Sequence, residues 1–304
     1  MSFEDIPTMP SSALPIFHIP DFGPDAIDSS HFYYSGLKNH LATHQFIQKP
    51  HKHDFYIIVV FTQGRGSHTI DFKTYPVEPG SVFFLSPGQV HSWELSPDTD
   101  GHILFFSTDF YTSTFSRKRL NDYSLFNSIV EFPKLEIDTP ETSEVLFFFE
   151  KIDQETKSPN WSTKDLLRNY IDTLLILLYR YKGSKTSFSP EEKLVHNQFQ
   201  QLELLIDNHF KKHREASFYA DQMSLSMKQL NSLCKNTVSK TSSQLILDRV
   251  ILEAQRLLTH SDLNISEIAY ELAFEDSSYF SRLFKKKTNL TPEQFRKQLD
   301  NTGL

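Results

Sequence analysis

The sequence predicts an α+β protein with more than one domain. An antiparallel β-sandwich or β-barrel is followed by helices, and then by an all-α C-terminal domain with two helix-turn-helix units joined by a long helix. The chain has 304 residues, enough for two domains with separate cores. Between about 41 and 107, short apolar runs alternate with turn residues, which is typical of strands. Residues 220–295 contain one helical pattern twice, which is typical of a repeated unit.

The β region lies between an N-terminal arm and the first helices. Residues 1–30 begin with an acidic, proline-rich segment, and we expect an irregular arm there. Over 31–140, β-rich runs such as DFYIIVVFT and GSVFFLS are separated by Gly64, Gly66, Pro79-Gly80 and Pro87-Gly88. A spacing of roughly ten residues between such runs predicts antiparallel strands in a sandwich or a barrel.

Helical spacing follows over 141–182. Leu167, Ile171, Leu174, Leu175 and Leu178 repeat at intervals of three and four residues, which predicts one apolar helix face. Packing against the β domain is the commoner reason for such a stripe, and a helix of a second subunit is the alternative. The helix is apolar on more than one face, so a partner helix could cover what the β domain leaves exposed, and we expect a dimerisation region over 141–182 and a homodimer. A polar linker over 183–189 and a C-terminal domain over 190–300 complete the predicted organisation.

The repeated pattern predicts helix-turn-helix units at 218–238 and 265–288. The offset between the copies is 49 residues before the turn and 50 after it. An ordinary antiparallel helix pair explains one such pattern, whereas duplication, matching outward faces and the helical spacer SSQLILDRVILEAQRLLTH indicate DNA binding. The matching positions are Ala220, Met223, Leu225, Leu230, Leu233, Cys234, Lys235, Thr241 and Leu245 in the first copy, and Ala269, Leu272, Phe274, Phe280, Leu283, Phe284, Lys285, Thr291 and Phe295 in the second.

The outward faces of the second helix in each copy carry the candidate DNA contacts. In the second copy, serines leave room for close approach, Arg282 can form two hydrogen bonds with guanine, and lysines can contact phosphates. In the first copy the outward face is polar, and Cys234 is expected to be a buried apolar residue. The candidate DNA-binding residues are Lys228, Asn231 and Ser232 in the first copy, and Ser277, Ser278, Ser281, Arg282, Lys285 and Lys286 in the second.

The segment ISEIAYELAFEDSSYFSRLFKKKTNLTPEQFR resembles the signature of the AraC family of bacterial transcription regulators. The resemblance extends upstream through FYADQMSLSMKQLNSLCK and ILDRVILEAQRLL and covers about 100 residues. It implies a DNA-binding domain whose two recognition helices enter successive segments of the major groove. Family members are mostly activators that contact RNA polymerase, so promoter DNA and RNA polymerase are the implied partners. The base-contacting positions of the family fall on Lys228, Asn231 and Ser232, and on Ser277, Ser278, Ser281 and Arg282.

The chain departs from the family pattern at positions where glycine or arginine is usual. Ala273 stands in the second turn, and Ser239 and Asn289 follow the two recognition helices. Asparagine tolerates the left-handed conformation that ends many helices, whereas serine tolerates it less well. This predicts a different end for the first unit. Ser232 stands where an arginine is frequent, which weakens the expectation that the first unit reads bases.

The N-terminal half is similar to the cupin barrels that serve as sensor domains in AraC-type regulators. The pattern is His51-x-His53, then Gly64, then Pro79-Gly80, Pro87 and His91. The resemblance implies a cupin-like antiparallel β-barrel, and barrels of this size can hold one small molecule. The effector is unknown, and the candidate lining residues are His53, Tyr56, His68, His91 and Trp93, each of which can instead be a core or rim residue.

The same histidines leave a second function open. His51, His53 and His91 could hold Zn²⁺ or Fe²⁺, but isoleucines occupy the region where a metal-binding cupin has its glutamate. We therefore expect neither a metal nor another cofactor, and no enzyme activity. The alternatives are a metal-dependent cupin enzyme fused to a DNA-binding domain and a ligand-independent repressor.

The composition indicates the compartment. No apolar run approaches the roughly 20 residues that span a bilayer, the N-terminus lacks the order of a secretory signal, and Cys234 is the single cysteine. We expect a cytoplasmic, ligand-responsive activator that has no membrane partner.

Overall fold

The computed structural model describes residues 15–23, 28, 30–112, 120, 125–126, 133–184 and 190–302. Contacts between residues divide the chain into two compact units at 249/250, inside one long helix. None of the helices in the described ranges combines the length and the hydropathy that a bilayer-spanning helix requires.

Two antiparallel sheets form the N-terminal domain. The five-stranded sheet has the order β10-β7-β4-β9-β2, and the three-stranded sheet has the order β6-β5-β8. Strands β1 and β3 form a short parallel pair. The strands are β1 (Ile16–Phe17), β2 (Phe32–Gly36), β3 (Lys52–His53), β4 (Tyr56–Gln63), β5 (Gly66–Ile70), β6 (Lys73–Val77), β7 (Ser81–Leu85), β8 (His91–Leu95), β9 (Asp100–Phe106) and β10 (Lys134–Glu136).

Helices follow and interrupt these strands. Two short 3-10 helices cover Ile19–Phe22 and Gln45–Gln48. The α-helices are α1 (Leu37–Thr43), α2 (Thr108–Thr112), α3 (Thr139–Lys157), α4 (Thr163–Ser184), α5 (Pro190–His209), α6 (Ala216–Gln222), α7 (Met227–Val238), α8 (Ser242–His260), α9 (Ile265–Glu271), α10 (Ser277–Thr288) and α11 (Pro292–Thr302). The predicted α+β fold, with a β domain followed by an all-α region that contains a repeated helix-turn-helix, is confirmed.

The central strand β4 is covered on both faces. Ile58 and Val60 face the core shared with α3 and α4, while Ile57, Val59 and Phe61 face the three-stranded sheet. Successive side chains of a strand point to opposite faces, so a strand covered on both sides needs apolar residues at every position. This is why the segment YIIVVF is apolar without alternation.

The apolar stripe of α4 is buried within the chain itself. Leu167, Ile171, Leu174, Leu175 and Leu178 are fully buried in one core with α3 and the outer face of the five-stranded sheet. Intrachain packing therefore accounts for the burial of these five residues, while a dimerisation region over 141–182 and a homodimer stay predictions. The helix also extends through Gly183 to Ser184, so the predicted linker loses its first two residues, while 185–189 lie outside the described residues.

The N-terminal segment differs from the irregular arm expected over 1–30. Its described residues include β1 and the first 3-10 helix, whose Ile19 and Phe22 are buried. The Phe22 ring lies 4.9 Å from that of Phe105 and 5.2 Å from that of His44. Ile19 and Phe22 are thus part of the β-domain core, and Phe17 packs against it, while 1–14 lie outside the described residues.

Candidate DNA-binding surface and barrel interior

The two helix-turn-helix units repeat each other in backbone geometry. The first unit (α6 and α7) and the second unit (α9 and α10) each pair a helix of 7 residues with one of 12. In the turns, Ser224 and Ala273 have φ values of 54° and 56°. The turns are closed by matching hydrogen bonds, from Leu225 N to Ala220 O at 2.9 Å and from Phe274 N to Ala269 O at 2.8 Å.

Both recognition helices, α7 and α10, end in the same way. Ser239 and Asn289 adopt the left-handed conformation, with φ values of 57° and 64°. Their amides donate to Lys235 O and Lys285 O at 3.0 and 2.8 Å. The expectation of a different end for the first unit is wrong, because the closing hydrogen bond holds serine in a conformation that it adopts less readily than asparagine.

Capping side chains begin these helices. Ser226 and Gln229 form a reciprocal capping box on α7, and Asn264 and Glu267 form one on α9. On α10, the Asp276 carboxylate accepts hydrogen bonds from Ser278 N at 2.8 Å and Tyr279 N at 3.2 Å. These backbone hydrogen bonds hold the pKa of Asp276 below its usual value.

The outward face of α10 carries most of the predicted contacts in exposed positions. Ser278, Arg282, Lys285 and Lys286 are exposed, and Phe280 and Phe284 are buried beneath them. Ser277 and Ser281 are half-buried, and the Ser281 hydroxyl donates to Ser277 O at 2.9 Å. The Arg282 side chain is 73% exposed, and its Nη2 lies 3.9 Å from Asp276 Oδ2.

Tyr279 is an exposed residue of α10 that the sequence did not indicate as a candidate DNA contact. It lies in the first turn of α10 and is 51% exposed. Its tilted contact with Phe274, at 6.1 Å between ring centroids, leaves the ring at the surface. A large aromatic residue directly between the polar Ser278 and the buried Phe280 is the signal that could have identified it.

The outward face of α7 is only partly available. Lys228 and Ser232 are exposed, but Asn231 is half-buried and its Oδ1 accepts from both the amide and the hydroxyl of Ser242, each at 3.1 Å. In the second unit the matching positions are Ser281 and Pro292. Proline has no N–H, so the second unit has no such donor to satisfy. In the first unit, by contrast, the Asn231 oxygen caps α8 by accepting from the Ser242 amide.

Cys234 and Arg296 are structural. Burial raises the pKa of the Cys234 thiol to about 11, as expected for a residue in an apolar core. The Arg296 guanidinium donates to Leu258 O at 3.0 Å and Leu263 O at 2.8 Å. It joins α11 to the end of α8.

Four of the five candidate ligand-lining residues lie together inside the β domain. The rings of His53, His68 and Trp93 lie 5.2 to 5.3 Å from the ring of His91, and all four residues are buried. His68 Nε2 and His91 Nδ1 share a hydrogen bond of 3.1 Å. Among the described residues, His53 Nε2, His68 Nδ1, His91 Nε2 and Trp93 Nε1 have no hydrogen-bond partner.

Burial keeps these imidazoles neutral. Desolvation, followed by the proximity of other imidazoles, lowers the pKa of His53 and of His68 to about 3, and lowers that of His91 well below its usual value. Burial also lowers the pKa of His51 to about 4. The interior is therefore an uncharged, polar and aromatic environment at neutral pH.

Tyr56 is not part of this interior. Its ring lies 5.6 Å from Phe106 and 4.9 Å from Phe126, in the core between the five-stranded sheet and the helices. The expectation that Tyr56 lines the interior is wrong, because it occupies the opposite strand face from Ile57.

The candidate metal ligands His51, His53 and His91 also lie close together. The ring centroids of His51 and His91 are separated by 4.2 Å. The His51 and His53 Nδ1 atoms are engaged by the carbonyls of Lys49 and Phe55. In the described part of the chain, no three histidine, cysteine or acidic residues form a group arranged to hold a metal ion.

A cavity of about 790 Å³ opens beside this interior, between α1 and the end of β8. Trp93 lies in its wall and also contacts the histidine cluster, with its ring 5.0 Å from His68. The remaining lining residues are Lys38, Leu41, Ala42, Glu94, Leu95, Ser96, Pro97 and Thr99.

Comparison with known proteins assigns both halves of the chain. The model of a helix-turn-helix domain, HTH_18, matches residues 219–298, and the model of an AraC-like ligand binding domain matches residues 31–143. The HTH-type transcriptional activators RhaS of Shigella sonnei and of Escherichia coli are each 25% identical over 258 residues, covering 82% of this chain and 88% of the relative.

Solved structures are also similar to parts or most of the chain. ToxT from Vibrio cholerae is 12% identical, with 88% of this chain and 98% of that chain covered and a TM-score of 0.43. The C-terminal domain of the response regulator yesN from Fusobacterium nucleatum is 26% identical, with coverages of 36% and 99% and a TM-score of 0.30.

Proposed function

Because the chain belongs to the AraC family of transcription regulators, we propose that it binds promoter DNA sequence-specifically through α7 and α10 and responds to a small molecule bound by its β domain. The observation that carries this proposal is the surface of α10, where hydroxyl and cationic side chains are exposed above a buried phenylalanine face. Such a helix can lie in a major groove with Arg282 at base edges and lysines at phosphates.

The two recognition helices make unequal contributions in this proposal. Helix α10 offers Ser277, Ser278, Ser281 and Arg282 to bases, and Lys285 and Lys286 to phosphates. Helix α7 offers Lys228 and Ser232, while the oxygen of Asn231 is engaged with Ser242. We therefore expect α10 to supply most of the base discrimination and α7 to supply affinity.

A selection experiment tests the DNA-binding part. The full chain is used to select duplexes from a randomised library, and the dissociation constant is then measured for the selected site and for an unrelated duplex of equal length. We expect a preference of at least about 10³, the lower end for specific regulators. Equal affinity for both duplexes, or no binding, would contradict the proposal.

Activation is the sign of regulation that we propose, since the RhaS relatives are named transcriptional activators. It implies contact with RNA polymerase, and a homodimer would place two copies on neighbouring DNA sites. In vitro transcription from the selected site tests the sign. More transcript on addition of the protein supports activation, and less transcript supports repression.

The mass of the free and DNA-bound protein, measured by light scattering, tests the dimer.

The effector part rests on the cavity beside Trp93 and on the unpartnered nitrogens of the interior. Buried donors and acceptors without partners are costly, and a ligand could supply those partners. The close packing of the histidine and aromatic rings favours a second candidate, a regulator that needs no effector. Thermal unfolding of the protein with a metabolite panel distinguishes them: a ligand that stabilises the wild type but not Trp93→Ala supports the effector.

A further inference from the structure

We propose that Asp276 is a positioning residue for DNA reading: it orients the Arg282 guanidinium and opposes binding to duplexes that lack the matching base. The proposal rests on the proposed DNA-binding role of α10. It makes the residue that begins the recognition helix a determinant of sequence choice, in addition to its capping role.

The carboxylate of Asp276 is held in place by the helix that it caps. Its two oxygens accept separate backbone hydrogen bonds, from Ser278 N at 2.8 Å and Tyr279 N at 3.2 Å. Its remaining lone pairs are available to a second partner, since an ionised carboxylate can accept about four hydrogen bonds. The carboxylate is therefore a fixed point from which a mobile side chain can be oriented.

The Arg282 guanidinium lies within reach of this carboxylate. Its Nη2 lies 3.9 Å from Asp276 Oδ2, and the two side chains are 73% and 57% exposed. An ion pair as exposed as this contributes little to the stability of the free protein. In a groove from which water is partly excluded the same pair strengthens, and it limits the directions in which the guanidinium fork can point.

The carboxylate also weakens binding to DNA in a way that increases discrimination between duplexes. It lies on a surface that approaches a polyanion, and it repels phosphates wherever the Arg282 fork does not find its base. Repulsion from the wrong partner adds to specificity in the same way as attraction to the right one.

The first unit provides an internal comparison. Its capping residue is Ser226 instead of Asp276, and the position that matches Arg282 is Ser232. Serine caps a helix about as well as aspartate, so capping alone does not require the charge. The carboxylate is present in the unit that has the arginine and absent from the unit that lacks it.

The test compares Asp276→Asn and Asp276→Ser with wild type. Both replacements retain a capping side chain and remove the charge, so circular dichroism and the unfolding temperature should stay close to wild type. Fluorescence anisotropy with the selected duplex and an unrelated duplex gives the ratio of dissociation constants. We expect this ratio to fall about three- to tenfold, mainly because binding to the unrelated duplex becomes tighter. An unchanged ratio would overturn the proposal.

A double-mutant cycle separates positioning from simple charge repulsion. In an Arg282→Ala background, Asp276→Asn should leave the base preference unchanged, because the group that it orients is missing. A further change in base preference would mean that Asp276 reads a base itself. As the matched control, Ser226→Asp should weaken binding to both duplexes equally, because Ser232 cannot pair with it.

The wild-type measurement distinguishes failure of this inference from failure of the proposed function. If the wild-type protein selects no duplex, the DNA-binding role fails and the inference fails with it. If the wild type discriminates strongly and the Asp276 variants discriminate equally well, only the positioning role is overturned.

Discussion

Replacing Asn231 by alanine should destabilise the protein by about 2 kcal/mol. Asn231 Oδ1 accepts from the Ser242 amide and hydroxyl at 3.1 Å, and Ser242 is fully buried. The hydroxyl can rotate towards another acceptor, but the amide is fixed at the start of α8. One orphaned buried N–H costs about 1–3 kcal/mol. Urea unfolding followed by circular dichroism measures the total loss, and hydrogen exchange over 240–246 locates it.

Two further variants test the physical cause. In the second unit, Pro292 occupies the position of Ser242 and has no N–H. Thr291 and Gln294 form the same reciprocal hydrogen bonds there as Thr241 and Gln244 do. The double variant Asn231→Ala/Ser242→Pro should therefore regain most of the lost stability.

The matched control is Ser232→Ala, an exposed neighbour on the same helix, for which we expect a change within about 0.5 kcal/mol. If Asn231→Ala unfolds at the same urea concentration as wild type, the hydrogen bonds to Ser242 do not stabilise α8 and the reasoning is refuted. Asn231→Asp retains the acceptor oxygens, so its free energy of unfolding should stay closer to that of the wild type than does that of Asn231→Ala.

Four shorter predictions accompany this one. Arg282→Ala should cost about 1–3 kcal/mol on the selected duplex and relax base choice at one position, whereas an equal loss on all duplexes would identify a phosphate contact. Lys286→Ala should weaken binding to every duplex and reduce the salt slope by about 1; a changed base preference with an unchanged slope would contradict the phosphate assignment. Ala273→Gly should stabilise the second unit by roughly 0.5–1 kcal/mol, since Ala273 has a φ of 56°, and a lower unfolding temperature would contradict that strain. The pKa of His53 and of His68 is about 3 in the folded protein and about 6.5 in an unfolded chain. Between pH 3 and pH 6.5 the unfolded state therefore binds more protons than the folded state, so the free energy of unfolding should fall as the pH decreases from 6.5 to 3. Near-UV circular dichroism against pH measures this, and His68→Phe should shift the acid transition to lower pH; an unshifted transition would exclude His68 as a cause.

The helical repeat was predictable because its information is local. Capping residues, the apolar spacing and the 49- and 50-residue offsets all lie within a few turns of each helix, and the backbone follows them. The matching φ values of Ser239 and Asn289 were not predictable. Serine and asparagine differ in their intrinsic preference for the left-handed conformation, whereas the same closing hydrogen bond forms with either residue.

The barrel interior was predictable in part. The His51-x-His53 pattern and His91 indicated a cluster, and the structure brings these rings together. Tyr56 was assigned to the wrong face, because a strand that is apolar on both sides has no alternation from which its phase can be determined. Helix α1, which forms one wall of the cavity, had no recognised helical signal in the sequence.

The sequence by itself determined the class of protein, the order of its domains and the outward residues of α10, since periodicity and capping act over short distances along the chain. The tertiary structure alone decided which polar residues remain available for function. Asn231 is engaged by a residue 11 positions away, the α4 stripe is covered by a sheet formed from distant strands, and Arg282 lies beside Asp276. Such partners are set by packing between elements, which no local pattern specifies.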